Sequence, residues 1–116
     1  MSSVVLVVED EPIISMWVEE ALEEAGYTVL SANNADAAIR ILEARLDITL
    51  VFTDIDMPGS MDGLKLAAFV RGRWPPMRIV IASGKHRPYP KDLPLNAVFL
   101  PKPYLTSDIL LAFNGF

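Results

Sequence analysis

A ten-residue stretch near the middle of the chain decides the fold: residues 50–59, with the sequence LVFTDIDMPG. Its apolar start and the Pro58-Gly59 turn signal that follows are typical of a strand buried on both faces of a parallel sheet. Asp54 stands at the carboxyl end of that strand, and open α/β sheets bind ligands at this edge. Asp54 is therefore the first candidate for a functional residue.

Four other short apolar runs predict strands, and amphipathic helical patterns separate most of them. The predicted strands are 4–8, 27–30, a run ending at Asp54, 78–82 and 97–100. The predicted helices are 12–25, 35–44, 62–74 and 105–113. The alternation predicts one parallel sheet with helices on both faces. Segment 85–95 contains three prolines, so we expect a loop there with at most a turn or two of helix.

Individual residues predict where the helices begin and end. We expect Asp10 near the N-cap of the first helix and Asn34 at the N-cap of the second. Thr106 or Ser107 is the candidate cap of the last helix. Gly26 is placed to follow the C-cap of the first helix in a left-handed conformation.

Length and composition limit the class of protein. The chain has 116 residues, 52% of them apolar and 22% charged, so we expect a single globular domain over residues 1–116. The net charge of −5 argues against direct nucleic-acid binding, and the lack of cysteine excludes disulfides and thiolate metal sites. We see no signal-peptide pattern or run long enough to span a bilayer, and we expect a cytoplasmic protein without membrane attachment.

Polar residues follow four of the five predicted strands. They are Glu9-Asp10, Asp54, Ser83 and Lys102. Because parallel strands end at one edge of a sheet, these side chains should converge. Two carboxylates about 5 Å apart repel by roughly 3 kcal/mol at an effective dielectric constant near 20. A divalent cation would relieve this repulsion, and an all-oxygen ligand set favours Mg²⁺.

A metal beside a carboxylate, a hydroxyl and an ammonium group is suited to phosphoryl transfer. In that interpretation Asp54 is the nucleophile, and Lys102 with the metal neutralises charge on the phosphoryl oxygens. Ser83 would donate a hydrogen bond to the attached group.

These residues, in this order along the chain, resemble the receiver domain of bacterial two-component response regulators. The matching motifs are Glu9-Asp10, Asp54 with Met57-Pro58, Asp62-Gly63, Ser83-Gly84 and Lys102-Pro103. The resemblance covers essentially the whole chain. It implies a flavodoxin-like, doubly wound, five-stranded parallel sheet of strand order 2-1-3-4-5, here with a degraded fourth helix. It also implies phosphorylation by a sensor histidine kinase or phosphotransfer protein.

The resemblance further implies a role for each residue of the acidic group. Asp54 is similar to the phosphoacceptor. Asp10 corresponds to a direct Mg²⁺ ligand and Glu9 to a residue that acts on the metal through water. Asp56 would offer its backbone carbonyl to the metal.

Three more residues match positions that respond to phosphorylation in this family. Ser83 matches the switch hydroxyl, Lys102 the lysine that contacts the phosphoryl group, and Phe99 the aromatic switch residue of the fifth strand. In such proteins the hydroxyl moves toward the phosphoryl group and the ring turns inward, which shifts an existing equilibrium. An output protein, unknown here, would recognise the shifted state, and a homodimer is a further expectation.

The sequence departs from the family pattern in three places. Loop 57–63 is one residue longer than usual, and Gly84 replaces the more typical alanine after the switch hydroxyl. The degraded fourth helix leaves open how the usual output surface works here. The chain is interpreted either as a stand-alone receiver or as part of a longer regulator.

Two rival functions remain at this point. Asp54-Ile55-Asp56 also fits the Asp-x-Asp motif of haloacid-dehalogenase-like phosphohydrolases, although in that family the motif follows the first strand. The other rival is a receiver-like binding module that is never phosphorylated. We expect no enzyme activity beyond the protein's own phosphorylation and dephosphorylation. Phe99 could serve only as a core residue, Trp17 and Trp74 are interpreted as packing residues, and the isomer of the Lys102-Pro103 bond stays open.

Overall fold

The computed structural model describes residues 3–57, 61–85, 87–94 and 96–114. Five parallel strands form one sheet of order β2-β1-β3-β4-β5. The strands are β1 (Val4–Val8), β2 (Thr28–Ala32), β3 (Ile48–Asp54), β4 (Arg78–Ser83) and β5 (Ala97–Pro101). The predicted fold class and strand order are therefore confirmed, and β2 and β5 extend one or two residues further than predicted.

Within the described residues, four α-helices cover the two faces of the sheet. They are α1 (Pro12–Glu24), α2 (Ala35–Ala44), α3 (Gly63–Arg73) and α4 (Thr106–Asn114). Successive strand residues point to opposite faces, so each strand contributes to two cores. One core joins α2 and α3 to the sheet through side chains that include Leu6, Val51, Ile79, Leu42 and Leu66. The other joins α1 and α4 to the sheet through Val5, Phe52, Val80, Leu22 and Ile109.

Burial on both faces explains the continuous apolar runs of the central strands. All five residues of β1 are buried, as are all residues of β3 except Thr49. Apart from Thr49, these strands have no solvent-facing side, which favours apolar residues along them. A polar residue at the end of such a strand therefore lies at the edge of the sheet, because the chain leaves the core at that point.

The helix ends agree with the sequence at some positions and differ at others. Gly26 has a φ of +99°, and the Tyr27 N–H donates to the Leu22 carbonyl at 3.0 Å, as expected for a Schellman ending. Asn34 caps α2 by accepting from the Ala37 N–H at 2.8 Å. Asp10 lies next to the N-cap of α1, as predicted: the N-cap is Glu11, which makes no side-chain cap hydrogen bond.

The prediction for the start of α4 was wrong. Thr106 and Ser107 lie inside its first turn rather than ahead of it. Asp108, two residues further on than Thr106, reaches back and accepts from the Leu105 N–H at 2.8 Å. This is the acidic half of a capping box, and it satisfies one of the donors that a helix start leaves unpaired.

The segment between β4 and β5 contains a single 3₁₀ turn, Pro90–Asp92, among the residues that the structure describes there. The expected loop is confirmed for those residues, since proline removes backbone donors and restricts the residue before it. His86, the only histidine in the sequence, lies outside the described residues, as do residues 58–60 of loop 57–63. The Lys102-Pro103 peptide bond is cis.

Candidate functional site

The carboxyl edge of the sheet brings together side chains from four strands. Asp54 is the last residue of β3 and is only 3% exposed. It lies opposite Ala82 of β4, and the Ile55 N–H that follows donates to the Ala82 carbonyl at 2.9 Å. The backbone on both sides of Asp54 is thus fixed by the sheet, so its carboxylate is held at the edge.

Lys102 follows β5 and points its ammonium group at Asp54. Its Nζ lies 2.9 Å from Asp54 Oδ2 and 3.8 Å from Glu9 Oε1. The Lys102 N–H also donates to the Ser83 carbonyl at 3.0 Å, which ties the residue to the end of β4. Burial alone would lower the pKa of Lys102, but the hydrogen bond and charge of Asp54 outweigh it, and the pKa is raised. The ammonium group therefore stays charged across the physiological range.

Three carboxyl groups form an acidic cluster at this edge. Oxygens of Glu9, Asp10 and Asp54 all lie within 4.8 Å of one another. Glu9 is 2% exposed. Burial first, then a hydrogen bond with Asp10 and the charge of Asp54, raise its pKa from 4.5 to about 7. The cluster thus holds negative charge that the single ammonium group of Lys102 does not balance.

A divalent cation fits this cluster. Among the described residues, the buried Glu9 Oε1 makes no hydrogen bond; Lys102 Nζ lies 3.8 Å away, beyond hydrogen-bond distance. Carboxylate oxygens are the ligands that Mg²⁺ prefers, and a buried carboxylate without a donor is costly unless a cation accompanies it. The donor set and its charge therefore match a Mg²⁺ site.

Asp56 is separate from the acidic cluster. Its carboxylate Oδ2 accepts a hydrogen bond from Ser83 Oγ at 2.9 Å, and its N–H donates to Asp54 Oδ1 at 3.3 Å. The interpretation that Asp56 offers only its carbonyl to a metal stays a prediction. The bond to Ser83 joins residues 27 positions apart, and no sequence pattern predicted it.

Phe99 lies in β5 opposite Ile81. Its side chain is partly buried and packs against the core that includes Leu66 and Val70 of α3. A half-buried ring at the last strand of the sheet can be a core residue or a residue that changes position. The switch role of Phe99 stays a prediction.

Tyr104, two residues after Lys102, borders the site although no sequence motif singled it out. Its ring stacks on Trp17 with centroids 5.6 Å apart and meets Phe52 edge-on at 6.0 Å. Burial, followed by the charges of Glu9 and Asp54, raises the pKa of its hydroxyl. Trp17 packs as predicted, and with Tyr104, Lys102 and Ile14 it lines a cavity of about 440 Å³. The signal in the sequence is that Tyr104 directly follows the Lys102-Pro103 motif, which places it next to the site.

Comparison with protein families identifies the class of this chain. The model of the response regulator receiver domain matches residues 5–112. A nitrogen assimilation regulatory protein, NtrX of Azorhizobium caulinodans, is 39% identical over 85 residues, which are 72% of this chain and 18% of that protein. This chain thus spans less than a fifth of the length of that relative.

Solved structures agree with the sequence match. A response regulator receiver protein from Sinorhizobium medicae superposes with a TM-score of 0.89 at 28% identity, over 98% of this chain and 93% of that one. The response regulator TrrA of Thermotoga maritima, solved in complex with Mg²⁺ and BeF, gives a TM-score of 0.83 at 27% identity, covering 99% of this chain and 98% of its own.

These similarities separate two of the function classes left open above. They favour the signalling receiver of two-component systems over the phosphohydrolase. In the part of the chain that the structure describes, no helix is long and apolar enough to cross a membrane. The cytoplasmic location stays a prediction. By the match over residues 5–112, the chain belongs to the response regulator receiver domain family.

Proposed function

We propose that Asp54 is the phosphoacceptor of this receiver domain and that the domain spans residues 1–116. The observation that carries the proposal is the 2.9 Å contact between Lys102 Nζ and Asp54 Oδ2 at the buried acidic edge. A carboxylate held by the sheet and paired with a fixed cation has the position and charge that phosphoryl transfer needs.

The phosphodonor is a phosphohistidine on a sensor kinase or phosphotransfer protein. One oxygen of Asp54 attacks phosphorus, the new O–P bond forms, and the P–N bond to the imidazole breaks. The imidazole leaves with the electron pair of that bond. Lys102 stays beside the reacting oxygens and offsets the charge of the transferred group. Hydrolysis reverses the modification, as water adds to phosphorus and inorganic phosphate departs from the Asp54 carboxylate.

Mg²⁺ is the cofactor of this proposal. Glu9, Asp10 and Asp54 would hold it, together with the backbone carbonyl of Asp56. The bound ion would supply positive charge to the phosphoryl oxygens and relieve repulsion within the cluster. The solved complex of TrrA with Mg²⁺ and BeF supports this, as does the buried Glu9 Oε1, which makes no hydrogen bond within the described part of the chain.

The switch follows from the new phosphoryl oxygens. Ser83 would donate a hydrogen bond from its hydroxyl group to one of these phosphoryl oxygens, and the Phe99 ring would turn further into the core. A partner that binds only the phosphorylated arrangement then shifts the equilibrium toward it. The partner is an output protein or domain that recognises the changed positions of Ser83 and Phe99. A second copy of this chain, forming a homodimer, is another such partner.

Acetyl phosphate tests the assignment because it needs no kinase. With Mg²⁺, wild-type protein should gain the mass of one phosphoryl group, and Asp54→Ala should gain none. Asp62→Asn is a matched control, since it removes a nearby acidic charge while asparagine can still cap α3. An adduct of equal yield on Asp54→Ala would refute the assignment.

Two further measurements separate the rival functions and the role of Lys102. Sustained hydrolysis of p-nitrophenyl phosphate over many turnovers would favour the phosphohydrolase, whereas we expect a receiver not to turn over this phosphomonoester. We expect Lys102→Ala to keep the fold but to lose the NMR shifts that phosphorylation causes in wild-type protein. Identical shifts in the two proteins would show that Lys102 has no part in the switch.

A further inference from the structure

The hydroxyl group of Ser83 is already engaged on both sides. Its oxygen accepts a hydrogen bond from the Lys85 N–H at 3.1 Å, and its O–H donates a hydrogen bond to Asp56 Oδ2 at 2.9 Å. The side chain is buried, with 2% of its surface exposed. Water therefore has little access to replace either bond.

A serine hydroxyl has one proton, so it donates one strong hydrogen bond at a time. In the proposed switch, Ser83 must donate to a phosphoryl oxygen on Asp54. It can do so only after its bond to the Asp56 carboxylate breaks. That bond is charge-assisted, which makes it stronger than one to a neutral acceptor. The Asp56 carboxylate and the phosphoryl group on Asp54 thus compete for the same hydrogen bond.

We infer that Asp56 is a positioning residue whose carboxylate holds the Ser83 hydroxyl in the unphosphorylated arrangement and thereby opposes the switch. The inference rests on the proposed function, since it takes Asp54 as the phosphoacceptor. It assigns to the Asp56 side chain a role separate from that of its backbone carbonyl.

The backbone of Asp56 links this contact to the phosphoacceptor itself. Its N–H donates to Asp54 Oδ1 at 3.3 Å, while Lys102 holds Oδ2. The same residue therefore contacts Asp54 through its amide and Ser83 through its carboxylate. Phosphorylation of Asp54 therefore modifies the group that Asp56 contacts through its amide and gives the Ser83 hydroxyl a new acceptor.

The test measures the affinity for beryllium fluoride, a mimic of the phosphoryl group, at saturating Mg²⁺. Asp56→Ala removes the competing acceptor, and we expect affinity to rise about tenfold, the equivalent of one hydrogen bond to a charged group. Asp56→Asn keeps a neutral acceptor of the same size and should give a smaller rise. Asp62→Asn, which removes a charge on the same loop without touching Ser83, should leave the affinity unchanged.

The Ser83→Ala background separates the hydrogen bond from simple charge repulsion. If Asp56 acts through the hydroxyl, Asp56→Ala should have no effect on affinity once Ser83 is absent. An undiminished effect in that background would overturn the inference, as would equal affinities of wild type and Asp56→Ala. Thermal unfolding of each variant checks that the fold is kept, because a purely structural role would lower the melting temperature without dependence on Ser83.

The outcome also distinguishes this inference from the proposed function. If wild-type protein takes no phosphoryl group from acetyl phosphate, the phosphoacceptor assignment fails and the inference fails with it. If wild-type protein is phosphorylated on Asp54 but Asp56→Ala binds beryllium fluoride no better, only the inference about Asp56 fails.

Discussion

Gly63, the first residue of α3, packs directly on the backbone of Asp54, the last residue of β3. A β-carbon on Gly63 would collide with the Asp54 carbonyl oxygen and lie 2.7 Å from its carbonyl carbon. The Gly63 N–H also donates to the Ile55 carbonyl at 3.0 Å. The start of α3 is therefore fixed against the peptide that carries the candidate phosphoacceptor.

Gly63→Ala should destabilise the protein by roughly 2 kcal/mol, because the backbone of Asp54 must shift to make room for the methyl group. Urea unfolding measures the loss. Gly72→Ala is the matched control in the same helix: a β-carbon there meets nothing within 4 Å, so alanine should stabilise by roughly 0.5–1 kcal/mol. Equal effects of the two substitutions would contradict the close contact at Gly63.

Tyr104→Phe should raise the free energy of unfolding by about 1 kcal/mol, because it removes a buried hydroxyl without a partner. Tyr104 is 9% exposed, and among the described residues its hydroxyl makes no hydrogen bond. Chemical unfolding checks the change. Tyr89→Phe at a 69% exposed position should be neutral, and a loss of stability in Tyr104→Phe would reveal a hydrogen bond to the hydroxyl.

The raised pKa of Glu9 makes stability depend on pH in a defined direction. The folded protein binds the Glu9 proton more tightly than the unfolded chain does, since burial raises this pKa from 4.5 to about 7. Its contribution to stability is thus fully present below about pH 4.5 and is lost as the pH rises through 7. In the absence of Mg²⁺, Glu9→Gln should be more stable than wild type at pH 8 by roughly 3 kcal/mol.

The comparison at pH 5 and pH 8 isolates this effect. At pH 5 the Glu9→Gln variant and wild type should differ little, because Glu9 is then mostly protonated. Glu24→Gln, an exposed position on α1, makes the same change in net charge and should not reproduce the gain at pH 8. A gain of equal size in both variants would point to net charge rather than to the burial of Glu9.

Mg²⁺ should stabilise wild-type protein because it binds the folded cluster and not the unfolded chain. At a concentration ten times its dissociation constant, the gain is about 1.4 kcal/mol. Asp10→Asn removes one charged oxygen of the cluster and should lose most of this gain, whereas Asp62→Asn should keep it. Thermal unfolding with Mg²⁺ and with EDTA measures both, and an equal gain in Asp10→Asn would place the ion elsewhere.

The strands and the residues at their ends could be predicted from the sequence. Val4–Val8 and the run that ends at Asp54 are apolar segments. The polar residues at their carboxyl ends, Glu9 and Asp54, could therefore be predicted to lie at the edge of the sheet. Helix ends were predicted less completely: the positions of Asp10, Gly26 and Asn34 were right, but the cap of α4 at Thr106 or Ser107 was wrong. Several residue types can cap a helix, and the choice depends on which side chain reaches the free N–H groups.

The sequence by itself determined the sheet, the class of protein and the edge at which Glu9, Asp54 and Lys102 meet, because apolar runs and parallel topology act on every residue of a strand. Only the tertiary structure decided the bond between Ser83 and Asp56, the contact of Gly63 with Asp54 and the elevated pKa of Glu9. These depend on distances of a few ångströms between segments far apart in the chain. Hydrogen bonds and desolvation vary steeply over such distances, whereas hydrophobic patterns do not.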